Sequence, residues 1–188
     1  MIGYAMCGSF CTMSKSLEVL RSLARKGYDL LPIMSTAAFS TDTRFGKSSY
    51  FTKEIADICG REPIVTIQDA EPLGPKLPLE ALVICPCTGN TLAKLAAGIT
   101  DTPVTMAAKA HLRCSRPLLI ALASNDAMSA NLRNIAFLLE KKNIWFTPML
   151  QDDPEKKPHS LVADFSLVSD ALTSAFEGKQ LRPLFLQN

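Results

Sequence analysis

Three short segments carry small polar residues at spacings that suit a phosphate or a polar ring. In Cys7-Gly8-Ser9-Phe10-Cys11-Thr12 a glycine, which permits close backbone approach, stands beside the hydroxyls of Ser9 and Thr12. A helix starting there would add free amide N–H groups, the usual donors to a phosphate or a ring carbonyl. Ser35 and Thr36 follow a second apolar run, and Pro86-Cys87-Thr88-Gly89-Asn90-Thr91 follows a third. Asn90 both donates and accepts, as a flavin pyrimidine edge or a substrate carboxylate would use. Taken singly, the segments also read as strand-to-helix turns with Ser or Thr caps, and for the first that plainer reading is the better one.

Other chemistries fit the residues less well. The first segment lacks the three-glycine fingerprint of a nicotinamide-binding Rossmann turn. Cys7 with Cys11 and Cys85 with Cys87 lack zinc-knuckle spacing, and His111 and His159 stand far from both, so no metal is expected. The six cysteines are expected to be free thiols. Cys85 and Cys87 are expected to alternate across a strand end, with at most one facing the pocket. Twenty Lys and Arg against 18 Asp and Glu give a net charge of +2 without basic blocks, which argues against nucleic acid as the main partner. Apolar runs fall short of the ~18 residues that span a membrane, and no secretory signal precedes the first strand. A cytoplasmic location is the expectation.

Ligands of an open parallel sheet bind at the carboxyl ends of its strands, so each segment needs a strand before it. Ile2–Met6 reads as the first. From Thr12, Met13, Leu17, Leu20 and Ala24 form a helical stripe that ends in Arg25, Lys26 and Gly27, the last as C′ residue. Leu30–Met34 is the second strand, followed by a Ser/Thr-rich loop to Tyr50 and a helix over about 51–59. A short strand over 64–67 and an extended Pro72, Pro75, Pro78 connection lead to the most buried run, 81–85, which Pro86 ends. Helices follow over 91–97 and 104–112, then a strand over 118–123. A helix over 130–142 turns Leu132, Ile135, Ala136 and Leu139 inward, and a short strand covers 144–146. Leu161, Phe165, Val168 and Leu172 place a last helix, capped by Ser160. The alternation predicts an α/β fold with a mostly parallel central sheet, in one domain over residues 1–188; an apolar fraction of 47% and a charged fraction of 20% provide its core.

The third segment, with Lys94, Ala97, Gly98 and Asp101 after it, resembles the Pro-Ala-Ser/Thr-Ala-Asn-Thr motif of the homo-oligomeric flavin-containing cysteine decarboxylase superfamily. Pro117 to Ala123 with Asn125, Asp126, Ala127 and Met128 is similar to its Pro-x-Met-Asn-x-x-Met segment with the first part altered. Cys7-Gly8-Ser9 fits its flavin loop. The likeness covers about residues 1–150 in consistent order. Cys87 and Gly89 in place of alanines, and the stretch from Phe39 to Tyr50, resemble the branch that makes pyridine-2,6-dicarboxylate in sporulating bacteria.

The resemblance implies a three-layer Rossmann-like flavoprotein fold, bound FMN, and a homo-oligomer, trimer or dodecamer. It implies a second, partner subunit that carries NADP, and a small dicarboxylate substrate whose dihydro form is oxidised. On this likeness Gly8, Ser9, Ser35, Thr88, Asn90 and Thr91 hold FMN, with Ser35 nearest the phosphate, and Asn90 is the catalytic candidate. Arg44, Lys47, Asn125 and Met128 are weaker substrate candidates, with Lys53 beside them. The decarboxylating relatives use a histidine between the second and third strands, and residues 35–67 contain none. His111 and His159 are expected to be solvated or capping. Asp126 orients a partner or caps a helix. Two alternatives stay open: a flavin-dependent cysteine-type decarboxylase, and a non-catalytic partner of a separate dehydrogenase.

Overall fold

The structure is a computed structural model that describes residues 1–187; Asn188, the last residue of the expected domain, lies outside the described residues. In chain order the elements are β1 (Ile2–Met6), α1 (Met13–Arg25), β2 (Leu30–Met34), α2 (Thr36–Ser40), α3 (Ser48–Cys59), α4 (Ile67–Ala70), β3 (Ala81–Cys87), α5 (Gly89–Ala97) and α6 (Pro103–Leu112). There follow β4 (Leu118–Ser124), α7 (Leu132–Leu139), β5 (Ile144–Phe146), β6 (Met149–Leu150), β7 (Leu161–Ala163) and α8 (Val168–Phe176). The sheet runs β2-β1-β3-β4 in parallel. Two strands then share the far side of β4: β5 pairs in parallel with Leu118 to Ile120, and β7 pairs antiparallel with Ala123 and Ser124. The α/β expectation with a mostly parallel sheet is borne out.

Strand residues alternate between two cores, one on each face of the sheet. Ala5, Leu82, Ile84 and Leu118 pack with Leu92 of α5, Val104 and Ala107 of α6, and Ile135 and Leu138 of α7. Tyr4, Met6, Val83 and Leu119 pack with Leu17 and Leu20 of α1, Phe51 and Ile55 of α3, and Leu172 of α8. Every residue of β3 and β4 is buried, which is why these strands read as unbroken apolar runs.

Four expectations need correction. β3 does not stop at Pro86 but runs on to Cys87, because its pairing with β4 shifts register between Ile84 and Cys87, where a missing N–H costs no ladder bond. Residues 64–67 are not a strand: only Ile64 bridges Ile33, and Thr66 caps α4 through Asp69 N, which draws Ile67 into that helix. α7 is shorter than 130–142 and inverts part of its predicted face, since Ile135 and Leu138 are buried while Leu132 is 48% exposed and Ala136 is exposed. The stripe from Leu161 is not one helix. Leu161–Ala163 forms β7, Asp164 then caps a short 3-10 turn, Phe165–Leu167, and Ser160 donates to Asp152 (2.8 Å) instead of capping.

Smaller differences have local causes. α3 begins at Ser48, earlier than expected, because Asp42 accepts from both the backbone N–H and the hydroxyl of Ser48 (2.8 and 3.0 Å). The short α2 interrupts the loop after β2. Pro32 sits within β2 without damage: Met34 N, two residues on, points away from β1 to Ile64 O, so the donor Pro32 lacks would also have pointed outward. Gly27 occupies the left-handed region after α1 (φ 85°), as its C′ assignment predicts.

His111 corrects a further expectation, being neither solvated nor a cap. Its ring is buried at the end of α6, where Nε2 donates to Pro117 O (2.9 Å) while Nδ1 has no partner among the described residues. Burial pushes its pKa below 6.5, with Arg116 acting in the same direction and the Pro117 carbonyl opposing. The unfolded chain therefore takes up a proton below pH 6.5 that the folded chain refuses, so stability is full above that pH and falls on acidification below it. We predict that the urea midpoint drops between pH 7 and 5, and that His111→Gln makes the drop shallower.

Candidate functional site

Parallel pairing sets the carboxyl ends of β2, β1, β3 and β4 side by side, and backbone bonds fasten the turns that leave them. Ser35 N donates to Met6 O (3.0 Å) and Cys7 N to Pro86 O (3.1 Å). Thr91 Oγ1 donates to Cys7 Sγ (3.3 Å), joining the first and third turns a second time. All three segments singled out in the sequence therefore meet at one end of the sheet, with the turn after β4 beside them.

Within these turns some polar groups are committed and others are not. Thr88 Oγ1 accepts from Thr91 N (3.2 Å) and donates to Thr91 Oγ1 (3.1 Å), so the two hydroxyls are engaged in capping α5 and in the Cys7 contact. Ser35 is buried and caps α2, accepting from Ala38 N (3.2 Å). Thr12 Oγ1 donates to Ser9 O and Ser9 Oγ (both 2.9 Å), which leaves the Ser9 proton free for a ligand. Asn90 and Asn125 are exposed, and among the described residues their side chains have no hydrogen-bond partner. Gly8 stands close to Ala37 and Phe10, each 3.2 Å from where a Cβ would sit.

The weaker candidates are placed differently. Arg44 lies over the exposed ring of Phe45 (4.8 Å), and Lys47 precedes α3; both are exposed and, among the described residues, unpaired with any carboxylate. Lys53 is exposed on α3. Met128 is half-buried and packs on the core, its N–H bonded to His159 O (2.9 Å). His159 itself is exposed in the late loop.

The three buried thiols at these strand ends, Cys7, Cys85 and Cys87, are poor nucleophiles at neutral pH. Burial pushes Cys7 up to about 11 and Cys85 up to about 12, and it holds Cys87 well above the ordinary range. Cys85 and Cys87 face opposite cores. Residues two apart share a face in a regular strand, so it is the irregularity at Pro86 that turns Cys87 over. All six cysteines are free, and no cluster of metal-ligating side chains occurs among the described residues.

One constellation was not anticipated. Asp126 accepts from Ser124 Oγ (2.5 Å) and from Asn131 Nδ2 (2.9 Å), and the Ser124 hydrogen bond, followed by that from Asn131, holds its carboxyl below the ordinary carboxylate range. The cluster lies directly against Gly89. The signal in the sequence was Gly89 itself, a glycine opening a helix where a small side chain would serve as well. A groove of about 700 Å³ also runs beside α1 and β7, where Glu18, Val19, Asp164 and Phe165 help to line it.

Comparison with known proteins places this geometry. The family model described as Flavoprotein matches residues 1–169. The chain is 43% identical over 187 residues to the B subunit of dipicolinate synthase from Bacillus subtilis (strain 168), covering 100% of this chain and 94% of that protein. Its fold superposes on the crystal structure of the dipicolinate synthase B subunit from Bacillus halodurans with a TM-score of 0.91 and 37% identity, over 100% of this chain and 96% of that one. The FMN-dependent cysteine decarboxylase SpaF superposes with a TM-score of 0.68 and 26% identity, over 93% and 95% of the two chains. No helix among the described residues is long and apolar enough to cross a membrane. With a family model covering most of its length and a relative aligned along all of it, this chain belongs to the Flavoprotein family.

Proposed function

We propose that the chain is the FMN-holding B subunit of a dipicolinate synthase, contributing to the oxidation of dihydrodipicolinate to pyridine-2,6-dicarboxylate. The observation that carries this reading is a set of uncharged donors on adjoining turns whose protons have no acceptor among the described residues: the Ser9 hydroxyl, Asn90 and Asn125. Uncharged N–H and O–H groups at strand ends suit ring carbonyls and a phosphate alike. FMN, when bound, supplies a two-electron acceptor, which is what removal of two hydrogens from a dihydropyridine needs.

The chain's own residues would divide the work. Gly8 and Ser9 offer an approachable backbone and a hydroxyl. Ser35 keeps its O–H free after accepting from Ala38, and can donate it to the phosphate. Thr88 and Thr91 shape the turn from which Asn90 reaches the reacting edge. Arg44, Lys47, Asn125 and Met128 form the substrate side, the two cations serving its carboxylates.

A second reading has a specific observation in its favour. His111 is buried at the amino end of β4, at the opposite end of the sheet from Asn90, and Asp126 is held in its ionised form. The three turns singled out in the sequence carry no histidine, which favours turnover that depends on the other component of the synthase, its A subunit, with NADP there. The same lack of a histidine in residues 35–67 speaks against the cysteine-type decarboxylase. The homo-oligomer implied by the superfamily belongs to this proposal, with its mass in solution as the check.

Two measurements test the proposal. Purified chain incubated with FMN and freed of excess should retain a bound-flavin absorption spectrum, and Ser35→Asp should abolish it while folding normally, since Asp is as good an N-cap as Ser; retention at wild-type stoichiometry would remove Ser35 from the phosphate site. The chain and its A-subunit partner together should oxidise dihydrodipicolinate at a rate that Asn90→Leu lowers by about 100-fold, the size of effect that loss of one positioned hydrogen-bonding group has in a transition state. Equal turnover by that partner without this chain would leave the chain no catalytic part.

A further inference from the structure

Gly89 opens α5, and the space where its side chain would stand is occupied. A Cβ there would overlap Ser124 Oγ and lie 2.7 Å from Asn131 Nδ2 and 2.8 Å from Asp126 Oδ1. Those three atoms form one hydrogen-bonded group with Asp126 at its centre, because both of its oxygens are used, one for Ser124 and one for Asn131. Asn131 is fixed in turn. Its Oδ1 accepts from Asn134 Nδ2 (2.8 Å) and its backbone N–H donates to Asp126 O (3.1 Å). Ser124 and Asn131 are buried, while Asp126 itself reaches solvent.

A helix cap would be the simplest account of these residues, and the geometry does not fit it. Asn131 is the N-cap residue of α7, yet its side chain makes no capping bond to that helix and turns to Asp126 instead. Asp126 does not cap α7 either, since its side chain is spent on Ser124 and Asn131. What the cluster does is bring the turn after β4 against the first residue of α5, at the one position where the absence of a side chain allows it. Asn90 is next to Gly89, and Asn125 lies between Ser124 and Asp126. The two free amides of the candidate site therefore project from two chain segments that pack against each other where the Asp126 cluster meets Gly89.

We propose that Asp126 is a positioning residue: seated against Gly89 by Ser124 and Asn131, it sets the separation and direction of Asn90 and Asn125 toward a ligand at the strand ends. The role rests on the flavin reading above only for the identity of that ligand. A clamp of this kind matters because ligand groups must be met within a fraction of an ångström, and exposed amides on unanchored turns would have to be ordered at the moment of binding.

The test combines four variants, Asp126→Ala, Asp126→Asn, Gly89→Ala and the double Gly89→Ala/Asp126→Ala, with two readouts: FMN affinity by difference absorption, and backbone amide exchange of the free protein. Asp126→Ala should raise the FMN Kd about tenfold and speed exchange in residues 88–91 and 124–128 about fivefold, with β1 and β3 unchanged. Asp126→Asn, which keeps the shape and an acceptor, should stay within about threefold of wild type in Kd. Gly89→Ala drives a methyl into the clamp and should weaken FMN at least about tenfold, and the double variant should bind no more tightly than Asp126→Ala alone, because Ser124 Oγ and Asn131 Nδ2 still stand where the methyl goes. Should Gly89→Ala fail to fold, the contrast between Asp126→Ala and Asp126→Asn decides by itself. Unchanged exchange at 88–91 in Asp126→Ala, or equal loss in the Ala and Asn variants, would overturn the proposal. If wild-type chain takes up no FMN, the flavin reading fails, and the exchange response still upholds or removes the clamp.

Discussion

The bond from Cys7 N–H to the Pro86 carbonyl is the constraint on which the site end of the molecule depends. β1 and β3 are central strands, buried on both faces, so each backbone group there must find a partner within the sheet. Past Ile84 the register with β4 shifts, and the residue without an N–H stands at that shift. Its carbonyl still serves β1, so the first and third turns leave the sheet fastened to each other. Thr91 Oγ1 on Cys7 Sγ repeats the fastening one helical turn later, and Ser35 N on Met6 O extends it to the second turn. A ligand-side rim made of separate loops is thus held by the same ladder that builds the core.

That fastening sorts the polar groups of the rim into those that hold it and those that face outward. Thr88, Thr91 and Thr12 bond to their own turns, and Cys7, Cys85 and Cys87 lie too deep to ionise at neutral pH. Ser9, Asn90 and Asn125 remain. The resulting surface is rich in neutral donors, which suits it to orienting a cofactor and a substrate.

The parts of this architecture governed by burial and by short polar motifs were legible in the sequence. β1 and β2 begin and end where the apolar runs do, and the three hydroxyl-bearing turns sit where Gly8, Ser35 and Gly89 put them. Tertiary pairing overrode the pattern elsewhere. The 161–172 stripe has helical spacing, yet Leu161 and Ala163 are buried at a period of two because the free edge of β4 beyond β5 takes them as a strand. Pro86 reads as a terminator unless the partner strand is known to slip past it. The Asp126 cluster was hidden for a related reason. Asp126 and Asn131 look like surface cap residues in one dimension, and only the approach of α5 brings Gly89 over them.

The two ends of β4 show why residue content alone does not settle chemistry on this fold. At the amino end, His111 is the sort of side chain a proton-transfer step uses, but it is buried, bonded to Pro117 O and pushed toward the neutral form. At the carboxyl end, seven residues away and so ~20 Å along the strand, Asp126 is held ionised by its two donors. A sheet fixes that separation rigidly, and no side-chain rotation closes it. His111 is thereby kept from the rim, and the β4 turn packed against Gly89 meets a ligand there with Asn90 and Asn125 beside it.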